Sequence, residues 1–171
     1  KTSAQNAIEI LENLLDWVKT QARTVSVNPT ETNIYNLISN TVDNLQAGLF
    51  SKNINLSINI DSKLVASLDQ NMTFVIIRNI LTNAIKFTNN NGEINIEAKK
   101  INSKILITIS DNGIGMDKEK LKGLFDIKDA KSTPGTNKEK GIGIGLILCK
   151  ELTESQGGTI WAESTIHQGS S

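Results

Sequence analysis

The chain has 171 residues, with 18 Lys+Arg balanced by 18 Asp+Glu, so its formal net charge is zero. That length supports one domain with a core of its own and a short appendage. Zero net charge argues against nucleic acid as the main partner, a lone cysteine rules out a disulfide framework, and no apolar run reaches membrane-spanning length.

In chain order, residues 4–22 place Ile8, Leu11, Leu15 and Val18 at alternating three- and four-residue spacing, a narrow coiled-coil-like seam. Residues 25–32, with Pro29, read as a linker. Helical spacing resumes over 33–49 through Ile34, Leu37, Ile38, Val42 and Leu45. Ile54, Leu56, Ile58 and Ile60 then alternate strictly, and so do Ile94, Ile96 and Ala98, so both runs predict strands.

Between those strands, residues 71–88 predict a helix. Asn79, Asn83 and Lys86 stand at i, i+4 and i+7 and share one face, while Phe74, Ile77, Leu81, Ala84 and Ile85 gather on the other. Two amides and an ammonium suit a magnesium–polyphosphate, since amide oxygen is a hard ligand and lysine brings a point charge to phosphate. The same row is equally what a solvated polar face looks like.

Ile105-Leu106-Ile107-Thr108-Ile109 alternates as a half-buried strand and runs into Asp111-Asn112-Gly113-Ile114-Gly115. An aspartate at the mouth of such a strand can accept a hydrogen bond from an exocyclic amino group, which adenine carries and guanine lacks at that position. Gly113 and Gly115 let backbone come close to a flat ring. Read alone, Asp-Asn-Gly is more commonly a hairpin turn. Lys128 to Lys140 is polar and rich in breakers, a loop that reads as a mobile lid without apolar anchors.

Gly141-Ile142-Gly143-Ile144-Gly145-Leu146 opens an apolar helix continuing as Ile147-Leu148-Cys149-Lys150. Its alternating glycines leave N–H groups free to face an anion at a helix N-terminus. No strand leads into it, so a dinucleotide-binding fingerprint fails on context. Cys149 reads as a small core residue suited to a reducing compartment, and His167, the only histidine, reads as a solvated loop residue.

These blocks, in this order, resemble the asparagine box, the first glycine box, the phenylalanine box (Leu124-Phe125-Asp126) and the second glycine box of sensor histidine kinases. Gly157-Gly158-Thr159 resembles a third glycine element, and the match runs over roughly residues 50–170. The wider superfamily includes type II topoisomerase, heat-shock chaperone and mismatch-repair ATPases. The resemblance implies an α/β two-layer sandwich, a mixed sheet packed on helices, spanning residues 33–171. Residues 1–24 would be the C-terminal part of the second dimerisation helix. Ile166 to Ser171 resembles the turn before the family's last strand, which would then lie beyond this chain.

By matching position, Asn83 is implied as the magnesium ligand with Asn79 beside it. Lys86 would reach phosphate and Phe87 would flank the nucleoside. Asp111 would read the adenine amino group, with Gly113 and Gly115 shaping that wall. Gly141, Gly143, Gly145, Leu146 and Thr159 complete the expected nucleotide-binding set, and Phe125 would anchor the lid. Ile142 and Ile144 stand where threonine and leucine are common, and neither change removes a backbone donor.

The implied function is transfer of the γ-phosphoryl group of ATP, with Mg2+, to a histidine on a dimerisation helix outside this chain. The implied partners are that histidine-bearing domain, a response-regulator receiver domain and a second copy in the full-length protein. The expected compartment is the cytoplasm, with any membrane attachment carried by segments outside this chain. Two alternatives are an ATP-hydrolysing clamp of the gyrase or chaperone type and a nucleotide-binding module without transfer chemistry. Clamp ATPases place a glutamate four residues before the magnesium asparagine as general base for water. Here that position is Asn79, an amide that takes no proton near neutral pH.

Overall fold

The computed structural model describes residues 26–127, 133–137, 139 and 143–171. The seam helix expected at 4–22, Gly141 and much of the lysine-rich loop lie outside the described residues. In order the elements are β1 (Thr30–Asn33), α1 (Ile34–Asp43), α2 (Gln46–Ser51), β2 (Asn55–Ile60), β3 (Val65–Leu68), α3 (Gln70–Phe87), β4 (Glu93–Ile101), β5 (Lys104–Asp111), α4 (Lys118–Lys122), α5 (Gly145–Ser155), β6 (Ser164–Thr165) and β7 (Gly169–Ser170).

The main sheet has the order β2-β4-β5-β7-β6. β2 lies parallel to β4, with Leu56 opposite Ile94 and Ile58 opposite Ile96. A parallel pair needs a crossover, and α3 lies within it. β4 and β5 form an antiparallel hairpin closed at Asn102-Ser103, where Asn102 takes a φ of 54°, a conformation asparagine tolerates. The sheet is therefore mixed, and its apolar residues face one layer of helices.

Period-two and period-3.6 patterns meet in that layer. Ile94, Ile96 and Ala98 of β4 and Ile109 of β5 pack against Ile34, Leu37, Ile38 and Val42 of α1 and Ile77, Leu81, Ala84 and Ile85 of α3. A smaller apolar cluster joins Met72 of α3 to Leu148 and Leu152 of α5. Asp69 starts α3 as its N-cap: one carboxylate oxygen accepts the Met72 N–H at 3.0 Å and the other the Asn28 N–H at 2.9 Å. One residue thus fixes both the helix start and the chain that enters the domain.

Two features depart from expectation. The single helix expected over 33–49 is broken: α1 ends at Asp43, and the Leu45 N–H bonds to the Val42 carbonyl at 2.9 Å, a tight turn that redirects the chain into α2. The redirection buries Leu49 and carries Lys52 inward. β1 and β3 also form a separate two-stranded antiparallel sheet, with Thr30 opposite Leu68. Thr-Glu-Thr-Asn has no apolar alternation, so β1 carries no period-two signal.

Candidate functional site

A cleft of about 930 Å3 opens between α3, the end of β5, the segment through α4 and the start of α5. Its lining includes Asn79, Asn83, Lys86 and Phe87 of α3, Asp111 and Gly115 after β5, and Gly143, Gly145 and Leu146 at α5. Thr159 and Phe125 line it too. Gly113 is buried behind this wall, and Gly141 lies outside the described residues.

Asn79 shows how the helix presents its amides. Its Nδ2 donates to the Val75 carbonyl at 2.9 Å, one turn back, so the oxygen is the atom left to face outward. That oxygen abuts Gly145: a Cβ there would stand 2.8 Å from Asn79 Oδ1. The second glycine element therefore meets the asparagine row directly. At Asn79 the polar row is not a solvated face, since that residue is buried, while Asn83 and Lys86 are half-buried.

Asp111 ends β5, where its Oδ1 accepts the Gly113 N–H at 2.8 Å. Burial pushes its carboxyl above the ordinary aspartate range, against the N–H groups of Gly113 and Ser170, which favour the charged form. An aspartate held at some cost in a cleft is a functional candidate on physical grounds. The neighbouring glycines serve the chain's own packing. A side chain at Gly115, whose φ is +64°, would collide with the Thr165 carbonyl, and one at Gly113 with the Phe87 carbonyl.

Lys86 lines the same cleft, with Nζ 4.8 Å from the Phe87 ring centroid. Burial lowers its pKa; Glu139 opposes that, while Lys120 and Lys52 reinforce it. Lys120 is a residue the sequence reading passed over. Its Nζ lies 5.4 Å from the same ring centroid and 3.1 Å from Thr133 Oγ1. It sits within Asp117-Lys118-Glu119-Lys120, which reads as ordinary solvated charge, so no pattern marked it.

The loop expected to act as a lid carries no apolar anchors of its own along Lys128 to Lys140. Its described part is held by polar contacts: the Thr136 N–H donates to the Lys86 carbonyl at 3.0 Å, and Glu139 pairs with Lys52 at 2.7 Å. Apolar patterning cannot reveal such anchors. Cys149 is fully buried, with its thiol pushed up to about 12, a core residue as expected. His167 is exposed in the turn between β6 and β7, at φ 62°, with its N–H on the Ile114 carbonyl.

The family model of histidine kinase-, DNA gyrase B- and HSP90-like ATPases matches residues 68–171. The adaptive-response sensory kinase SasA of Prochlorococcus marinus is 31% identical over 166 residues, covering 95% of this chain and 43% of the relative. The catalytic domain of histidine kinase ThkA superposes with a TM-score of 0.72 at 25% identity, over 84% of this chain and 91% of that domain. ThkA in complex with the response regulator protein TrrA gives 0.75 at 21% identity, over 97% of this chain and 46% of that one. Full-length ShkA in complex with AMPPNP gives 0.82 at 20% identity, over 99% and 35%. The chain spans less than half the length of its curated relatives, as the 43% of SasA illustrates. On the family match and on the convergence of the asparagine row, Asp111 and the glycine turn, the chain belongs to the histidine kinase-, DNA gyrase B- and HSP90-like ATPases, as a catalytic domain of the histidine-kinase kind.

Proposed function

We propose that this domain binds Mg-ATP and donates the γ-phosphoryl group to a histidine on a dimerisation helix outside these residues. The observation that carries the reading is the meeting, in one cleft, of a half-buried Asp111 with the Asn79, Asn83 and Lys86 row. Asp111 accepts from the adenine amino group, Phe87 flanks the nucleoside, and Lys86 reaches phosphate. N–H groups around Gly141, Gly143 and Gly145, with Leu146 behind them and Thr159 nearby, line the phosphate end.

The donor set suits magnesium. Asn79 commits its Nδ2 to Val75 and keeps its oxygen, and Asn83 lies one turn on along the same wall of the cleft. Among the described residues no group of three or more His, Cys, Asp or Glu could hold a metal. Two amide oxygens are too few for a closed cage, which agrees with a metal that keeps water and phosphate oxygens as its other ligands. Asn83 with Asn79 would hold it, where it offsets charge on the phosphates.

In the transfer, an imidazole nitrogen of the acceptor attacks the γ-phosphorus. The attacking nitrogen uses its lone pair, the bond to the β–γ bridging oxygen breaks with its electron pair leaving on ADP, and the proton on the ring's other nitrogen passes to solvent. Positioning and charge are what the domain supplies. ThkA in complex with a response regulator supports a receiver domain as the next acceptor, and we take the full-length protein as a dimer with this domain in the cytoplasm.

Asn79 disfavours the clamp reading, because its amide cannot serve as base for water and its nitrogen is already engaged by Val75. The test is labelling. This chain should bind Mg-ATP, hydrolyse it slowly at most, and not label itself. Supplying the dimerisation domain should give an acid-labile phosphohistidine, and Asn83→Ala should abolish it. Rapid hydrolysis indifferent to a helical partner would favour the clamp.

A further inference from the structure

Lys52 follows α2 and is 2% exposed, an ammonium in the interior whose burial is costly unless its protons are fully used. They are used at one place. Its Nζ lies 2.8 Å from the Ile85 carbonyl, 2.9 Å from that of Lys86 and 3.3 Å from that of Thr88. It also reaches Thr136 Oγ1 at 2.7 Å and Glu139 Oε1 at 2.7 Å. The first three oxygens belong to the C-terminal end of α3, where carbonyls lack helical partners and the helix dipole is negative. The last two belong to the loop between α4 and α5, which lies against the end of α3.

The same loop segment rests on Lys86. The Thr136 N–H donates to the Lys86 carbonyl, and a Cβ on Gly135 would stand 2.7 Å from that carbonyl and press on the Lys86 side-chain stem. Glu139 Oε2 accepts the Asn137 N–H at 2.8 Å, so the carboxylate that meets Lys52 also holds the turn. Burial alone would raise the Glu139 carboxyl, but the hydrogen bond from Lys52 and backbone N–H groups hold it below the ordinary range.

We propose that Lys52 is a positioning residue for the phosphate end of the nucleotide site, its buried ammonium tying the end of the helix that carries Lys86 to the loop at Thr136 and Glu139. The proposal rests on the nucleotide-binding reading above. Lys52 itself does not line the cleft; it acts through Lys86, whose stem Gly135 packs against. Asp111 and the adenine wall share none of these contacts, so the two ends of the site should respond differently.

The test compares Lys52→Met and Glu139→Gln with the parent chain in three measurements: ATP affinity, adenosine affinity, and amide exchange at Gly135 and Thr136. In Lys52→Met, ATP should bind roughly tenfold more weakly while adenosine binding is kept, and both amides should exchange at least tenfold faster. Glu139→Gln should move the same quantities in the same direction by less. Unchanged ATP affinity and exchange in a folded Lys52→Met would overturn the proposal, and so would equal losses for ATP and adenosine. Should Lys52→Met fail to fold, Glu139→Gln with Thr136→Val decides, and parental exchange at Gly135 in both sinks the idea. A parent chain that binds no nucleotide would refute the nucleotide reading, while the exchange comparison would still decide whether the tie exists.

Discussion

Asp111 is where a single side chain carries most of the proposed specificity. Asp111→Asn keeps the shape but turns a charged acceptor into an amide, and a hydrogen bond to a charged group is worth about 1.5–3 kcal/mol, so ATP affinity should fall roughly ten- to a hundredfold. Circular dichroism should stay nearly unchanged; parental affinity would remove Asp111 from the site. Its raised carboxyl adds a test in pH. Folded Asp111 holds its proton more tightly than the unfolded chain does. Its contribution to stability is therefore present below the ordinary carboxylate range and lost as pH rises through the raised value. Nucleotide affinity runs the other way, weakening as pH falls through that value, because the protonated group no longer offers a charged acceptor. On the alkaline side Lys86, lowered chiefly by burial, should lose its charge earlier than an exposed lysine. Binding titrations across pH should give a bell whose acid limb disappears in Asp111→Asn. An acid limb that persists in the variant would assign that titration to another group.

The elements holding these residues depend on a few polar contacts as much as on apolar packing. Asp69 is buried and holds two backbone N–H groups, from Met72 and Asn28. Asp69→Ala removes the cap of the helix that presents Asn79, Asn83 and Lys86. It should cost about 1–2 kcal/mol, read as a lower denaturation midpoint at unchanged m-value; a loss under about 0.5 kcal/mol would mean that the cap matters little. Burial alone would raise this carboxyl, yet the N–H groups of Met72 and Asn28 hold it below the ordinary value. Its stabilisation is thus present above the ordinary range and fades as pH falls through the lowered value. The long amphipathic α3 and the alternating strands were legible because a side chain's burial follows its period along the backbone. What stayed hidden is polar and non-local. The break after Asp43 depends on one backbone turn, β1 has no apolar pattern, and Lys52 looks solvated until α2 turns it inward. The candidate site residues were proposed for a different reason: Asn79, Asp111 and Gly145 sit in short blocks whose order the resemblance supplied. Their meeting, Asn79 Oδ1 against Gly145, is a tertiary fact that no spacing along the chain contains.

At the scale of the molecule, a cleft between two helices and a sheet end couples binding to folding. A ligand that contacts α3, β5 and α5 together is available only to the folded chain, so it must raise the unfolding free energy. At a hundredfold excess of Mg-ATP over its dissociation constant the gain is about 2.7 kcal/mol, which for a domain of this size raises Tm by roughly 5–10 °C. GTP presents an acceptor where adenine presents a donor, so it meets the Asp111 carboxylate with repulsion and should shift Tm far less at the same concentration. Asn83→Ala should reduce the ATP shift only when magnesium is present, because the contact proposed for Asn83 is to the metal and not to the nucleotide. Asp111→Asn should narrow the gap between ATP and GTP while keeping the dependence on magnesium. Thermal unfolding with each nucleotide, with and without magnesium, reads all of these at once. Equal shifts by ATP and GTP in the parent chain would show that this wall does not read the adenine edge. No shift by ATP would detach the cleft from nucleotide altogether.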